Sequence, residues 1–206
     1  MNLKEAVIRL EENFSSSILE KKEFRAEMTI TLEQSHLYKI CQFARDQLGF
    51  DMLLDISSVD HYGKDPRFEV VYELYSLESK IALRLKVLLS EDQASISTVS
   101  TLWATANWHE REVYDMMGIT FEGHPDLRRI LMWDGYPYYP LRKDFPLEGK
   151  PSEMPDVAFS EPAPLQGGPF VSAPSIGNTQ VREPRHRSAE SSLENISSQK
   201  TFIAEP

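Results

Sequence analysis

Phe68-Glu69-Val70-Val71-Tyr72-Glu73-Leu74-Tyr75, then Ser76 to Lys80, then Ile81-Ala82-Leu83-Arg84-Leu85-Lys86-Val87: this stretch decides the fold. Apolar and polar side chains alternate along both runs, the period of a strand with one buried face. The short connection between them predicts a hairpin. Upstream, Met52-Leu53-Leu54-Asp55-Ile56 reads as another strand. Over Glu33–Leu48 the period lengthens, placing Leu37, Ile40, Ala44 and Leu48 on one helical face, and Gly49 stands where a C-cap glycine belongs. Phe24, Ala26, Met28, Ile30 and Leu32 alternate with polar residues and predict a half-buried strand; Leu3, Val7, Leu10 and Phe14 predict a helix over 3–14. The order helix–strand–helix–strand–strand–strand is that of an α+β domain over 1–96, a small, mainly antiparallel sheet with helices on one face.

Downstream, a second segment over 97–150 is expected. Thr98 to Trp103 predicts a short helix. Asn107 suits an N-cap, with Glu110 as its capping-box partner, and Gly118 closes the helix that follows. After Phe121, glycines, prolines and aromatic residues predict an ordered but irregular path through Leu147. Eight of the thirteen prolines fall within 151–206, with few apolar side chains among them. Such a tail cannot bury a core of its own and is expected to gain order only on another surface, if at all.

The chain has 206 residues, 41% of them hydrophobic, a formal charge of −10 and a pI near 5.0. That balance argues against nucleic-acid binding by the fold as a whole. The single cysteine, Cys41, lies in the helical pattern among Ile40, Phe43 and Ala44 and reads as a small core residue. One thiol makes no internal disulfide and holds no iron–sulfur cluster, which takes about four. No window approaches the roughly 18 apolar residues of a membrane span. The opening Met1-Asn2-Leu3-Lys4-Glu5 fits neither a secretory signal nor a transit peptide, so a soluble, reducing compartment is expected.

Chemistry-bearing residues concentrate between Trp103 and Phe145, where all three tryptophans also lie. His109-Glu110 begins a His-Glu-x-x-His zinc pattern, but Val113 occupies the second histidine position, so no metal site is expected. Glu110, Arg111, Glu112 and Asp115 share two helical turns with Trp108, Tyr114, Met116 and Met117. Arg111 and Asp115 stand four apart, the spacing of a surface ion pair. Aromatic residues, methionine and arginine together have the composition of an interface core. His124, Asp126, Arg128 and Arg129 follow in a loop, and Arg142-Lys143-Asp144 in another; adjacent cations there suit carboxylates, within the chain or across an interface. No glycine pattern for nucleotide phosphates accompanies them. In the tail, Arg182-Glu183-Pro184-Arg185-His186-Arg187 is a basic knot suited to an acidic partner or lipid head groups.

These residues resemble a known family. Glu110-Arg111-Glu112, Asp115-Met116-Met117, His124 and Arg128 at their spacing, with Phe121–Leu131 and Pro140–Leu147, resemble the signature of the 30-kDa subunit family of respiratory complex I. Gly167-Gly168-Pro169-Phe170 and Arg182-Glu183-Pro184-Arg185 extend the likeness. One block departs from it: Met132 to Tyr139, where Tyr138-Tyr139 replaces the family's Gly-His. The resemblance implies a subunit of the peripheral arm of proton-pumping NADH:quinone oxidoreductase, beside the 49-kDa quinone-site subunit and iron–sulfur subunits. It implies no catalytic, cofactor-binding or metal residue on this chain, with FMN, clusters and quinone carried by partners. It also implies a peripheral location on the cytoplasmic side of a bacterial plasma membrane. On this reading Trp103–Phe145 is the main docking surface, residues 20–90 offer a sheet edge or helical face, and the tail wraps neighbours. The alternatives are a scaffold subunit of a membrane-bound hydrogenase, or a hydrolase using Glu110, Glu112 and His124.

Overall fold

A computed structural model describes residues 1–133, 135–147 and 149. Expectations for the tail over 151–206, including the Arg182–Arg187 run, lie outside the described residues. Met1–Pro146 form one unit around a single hydrophobic core.

Helix α1 (Leu3–Phe14) opens the chain, capped by Asn2, whose side chain takes the Glu5 N–H while Glu5 reaches back to the Asn2 N–H. Strands β1 (Ile18–Phe24) and β2 (Glu27–Leu32) follow, then α2 (Leu37–Leu48), β3 (Met52–Asp60), β4 (Phe68–Ser76) and β5 (Ile81–Leu89). The sheet runs β1-β2-β5-β4-β3, antiparallel except where β2 lies parallel to β5. Phe68, Val70, Tyr72 and Leu74 face Leu89, Val87, Leu85 and Leu83 across the hairpin, all buried. That face packs on Ala6, Val7 and Leu10 of α1 and on Leu37, Ile40, Cys41, Ala44 and Leu48 of α2. The opposite face is charged: Arg84 bonds Glu73 and Glu27, and Lys86 bonds Glu69. Leu54 is the extra residue of a bulge in β3, which lets Leu53 and Ile56 face the core together.

Four details differ from the sequence expectations. Ile18–Phe24 is a strand, paired among the described residues with β2 alone, through a turn whose Arg25 and Ala26 both take positive φ. Its Leu-Glu-Lys-Lys-Glu run is exposed on both faces, so nothing in it alternates. Thr98–Trp103 is a turn, not a helix, because Val99 and Trp103 drop into the core and the Trp103 indole N–H donates to the Phe50 carbonyl. Before it, β6 (Ser95–Ser97) pairs in parallel with β7 (Thr120–Glu122), two three-residue strands too short to show a period. Finally, α3 (Ala106–Met117) starts before Asn107, and Glu110 points into the protein instead of back to a cap. Among the described residues no helix is long and apolar enough to cross a membrane.

Candidate functional site

Helix α3 packs over β3 and sends three ionisable side chains inward. Glu110 accepts the Val99 N–H at 2.7 Å and meets the Thr98 hydroxyl, which pins the turn before the helix. Burial pushes its carboxyl up to about 7, against the pull of those two bonds. Arg111 does not pair with Asp115 as the i, i+4 spacing predicts. Its Nε and Nη2 donate to the carbonyls of Arg128 and Arg129, both at 3.2 Å, and its guanidinium lies 5.1 Å from the Trp108 ring centre. Asp115 bonds Arg129 at 2.5 Å and accepts the N–H groups of Ile130, Leu131 and Met132 at 3.0, 2.7 and 2.8 Å. Burial alone would raise its carboxyl, but these four donors outweigh it and hold the group below the ordinary carboxylate range.

A second cluster closes the other end of the irregular path. Asp60, at the end of β3, takes two bonds from Arg67 at 2.9 and 3.0 Å and the Lys143 N–H at 2.8 Å. Arg67 also reaches Glu91 at 2.5 Å and Asp144 at 2.9 Å. Around these pairs, rings and guanidinium groups alternate: Tyr62, Arg67, Phe68, Arg142, Tyr139, Arg129 and Tyr136, with centroid distances of 5.0, 5.0, 5.1, 4.5, 5.2 and 5.6 Å. Arg142 Nε donates to the Met117 carbonyl at 2.6 Å. Tyr139, in the block that departs from the family pattern, therefore sits between two arginines. Sequence reasoning misses Asp60 and Arg67, and it gives Tyr139 no role. The signal that marks them is the recurrence of arginine beside aromatic residues across separate segments.

The remaining residues of interest face outward. The Trp108 side chain is 60% exposed, and Glu112 is exposed one turn on. Asp126 and Arg128 pair at 2.9 Å on the surface. His124 is held inside, its Nε2 3.2 Å from the Asn107 carbonyl and its Nδ1 accepting the Asp126 N–H at 3.0 Å. His109 pairs with Asp55 of β3 at 3.3 Å. Leu131 and Leu141 are exposed too, so the segment displays apolar groups beside the surface charges of Glu112, Asp126 and Arg128. The hydrolase alternative needs Glu110, Glu112 and His124 around one accessible substrate. The structure offers no such arrangement: Glu110 and His124 lie together but fully buried, and Glu112 stands apart from them in solvent.

Gly118 ends α3 at φ +73°, where a Cβ would come within 2.6 Å of the Tyr139 ring and 2.7 Å of the Arg142 guanidinium. Gly118→Ala is expected to destabilise the chain by about 1–3 kcal/mol, through left-handed strain and displacement of that stack. Urea denaturation followed by tryptophan fluorescence measures it.

The family described as respiratory-chain NADH dehydrogenase, 30 Kd subunit, matches residues 30–151. An NADH-quinone oxidoreductase subunit of Geotalea uraniireducens (strain Rf4) is 51% identical over 148 residues, covering 72% of this chain and 90% of that protein. Its counterpart in Geobacter metallireducens is 52% identical over 145 residues, covering 70% and 90%. Among solved structures, the trypsin-resistant fragment of Nqo5 superposes with a TM-score of 0.51 at 32% identity, covering 59% of this chain and 99% of that one. A chain of the membrane-bound sulfane sulfur reductase, an archaeal respiratory membrane complex, superposes at 0.61 with 26% identity, covering 70% and 85%. By the span of the family match and the identity to these relatives, the chain belongs to the 30-kDa subunit family of respiratory-chain NADH dehydrogenase.

Proposed function

We propose that this chain is a scaffold subunit of the peripheral arm of a proton-translocating NADH:quinone oxidoreductase, docked against the 49-kDa quinone-site subunit and iron–sulfur subunits. Electrons pass from NADH to quinone through FMN and clusters on those partners, and this chain contributes no catalytic centre. It lies on the cytoplasmic side of a bacterial plasma membrane, attached through its neighbours. One observation carries this reading: α3 turns Glu110, Arg111 and Asp115 inward, where the turn before it and the path after it bind them, and Trp108, Leu131 and Leu141 stand outward. An exposed tryptophan stacked on a fixed arginine has the make-up of an interface hot spot. The cofactor-free role is supported by the single cysteine, which burial keeps in its thiol form, where a cluster takes about four thiolates. The hydrogenase alternative is not favoured, since relatives at 51 and 52% identity are NADH-quinone oxidoreductase subunits.

Trp108→Ala combined with Arg128→Ala tests the docking role, because both side chains are exposed while Arg129 is needed for the fold itself. The isolated double variant is expected to melt within about 2 °C of the parent, as surface substitutions do. Its cells are expected to lose at least about tenfold of membrane-bound NADH:quinone reductase, the loss that follows from removing roughly 2 kcal/mol at a hot spot. Full assembly and an undiminished rate would refute the assignment of this surface.

A further inference from the structure

Glu110 is an acidic side chain placed in the core, with its carboxyl fully buried. Among the described residues no arginine or lysine forms an ion pair with it. Its surroundings are nevertheless organised for a proton. The Thr98 hydroxyl meets Glu110 Oε2, lies 2.8 Å from the Ser100 hydroxyl and accepts the Ser100 N–H at 3.1 Å. With the proton on Glu110, the carboxyl donates to Thr98 and Thr98 donates to Ser100. Without it, both hydroxyls rotate, Ser100 donating to Thr98 and Thr98 to the carboxylate. Every hydrogen bond in the row is kept in either state, and Ser100 is half-buried, near solvent.

His124 faces the same carboxyl, its imidazole also fully buried. Nδ1 accepts the Asp126 N–H, so it carries no hydrogen, and the hydrogen on Nε2 points to the Asn107 carbonyl at 3.2 Å. Glu110 Oε2 lies 3.8 Å from that same nitrogen. Among the described residues, the other groups that sense the Glu110 charge are neutral: Cys41 of α2 and Tyr72 of β4, both buried, with no hydrogen-bond partner there for the tyrosine hydroxyl. Arg111, next along the helix, is turned away to the carbonyls of Arg128 and Arg129.

We propose that Glu110 is a buried proton-binding site that controls the turn from His124 to Asp126. Loss of the proton leaves a carboxylate beside the His124 Nε2–H, a stronger acceptor than the Asn107 carbonyl. The ring swings toward it, Nδ1 leaves the Asp126 N–H, and the turn is released. The turn leads into the exposed Asp126–Arg128 pair, so on the docking reading above the surface loosens as Glu110 ionises. Burial holds the folded-state carboxyl at about 7, well above the roughly 4.3 of an unfolded chain. The folded protein therefore binds the extra proton between those values. Stability falls as pH rises through that window and levels off above it.

Carbon-13 and nitrogen-15 NMR of the full-length chain between about pH 5 and pH 9 tests the proposal without the complex, so its failure is separate from failure of the docking role. The Glu110 carboxyl carbon is expected to titrate with a midpoint within about one unit of 7. The His124 ring nitrogens should shift at that midpoint, and the protection factor of the Asp126 amide should fall at least about tenfold across it. In Glu110→Gln, which keeps the shape and no charge, both steps should vanish. A Glu110 midpoint below about 5.5, or an Asp126 step that survives Glu110→Gln, overturns the proposal. If that variant does not fold, the parent decides: midpoints at Glu110 and Asp126 more than about one pH unit apart overturn it.

Discussion

Asp115→Ala is expected to lower folding stability by about 3–5 kcal/mol, the range for removing one member of a buried pair. The carboxylate is fully buried and meets four donors: Arg129 and the backbone N–H groups of Ile130, Leu131 and Met132. Alanine supplies no side-chain acceptor, so three backbone donors lose their partner at once, and a nearly buried guanidinium loses its carboxylate and keeps the carbonyls of residue 115 and Tyr138. The path after β7 should then come away from α3, which limited proteolysis between Arg128 and Met132 would show before global unfolding. Asp115→Asn keeps one acceptor oxygen and is expected to recover part of the loss. Acid provides a second check. The folded-state carboxyl lies below its unfolded value, so this contribution is complete above about pH 4 and disappears as pH falls through the folded value. A chemical-denaturation series at low pH should show a slope that Asp115→Asn lacks.

Asp60→Ala is expected to have an effect of similar size, about 3–5 kcal/mol. Asp60 and Arg67 are both almost fully buried, and the alanine variant leaves Arg67 in the core with only the partly exposed Glu91 and Asp144 as partners. The Arg67 bond holds the Asp60 carboxyl below its ordinary range, despite burial, so this pair also weakens only in acid. Arg67→Lys keeps the charge but not the two-pronged contact, and is expected to lose less than Asp60→Ala. A double-mutant cycle between Asp60 and Lys143 would give almost no coupling, because the Lys143 contact runs through its backbone N–H and not its side chain.

The parts of the fold that were legible in the sequence are those where burial alternates. β4 and β5 have inward Val70, Tyr72, Leu83 and Leu85 against outward Glu69, Glu73, Arg84 and Lys86, so period and register follow from composition. β1 was hidden because it is an edge exposed on both faces. Its Lys and Glu residues suit an edge that should not recruit further strands, but they give no periodic signal. The start of α3 was misplaced because Asn107 and Glu110 imitate a cap, while the real demand on Glu110 comes from Thr98 and Val99, eleven or twelve residues back. The signature residues show the same limit. Their charge and aromatic content were readable, but the partner of Asp115 stands fourteen residues away in an irregular path, and that of Asp60 follows a bend. Local spacing predicts pairs at three or four residues; it has no way to see these.

The inward-facing charges of α3 have a consequence for how defects would appear in a cell. A substitution at Asp115 or Arg129 harms the polypeptide before it ever meets a neighbour, so quality control would remove it during biogenesis. Respiratory membranes from such a strain would hold fewer finished enzymes, each turning over at the normal speed. Melting the isolated chain beside that count would distinguish a lesion inside this subunit, which lowers its own stability, from one at its seams, which leaves that stability unchanged.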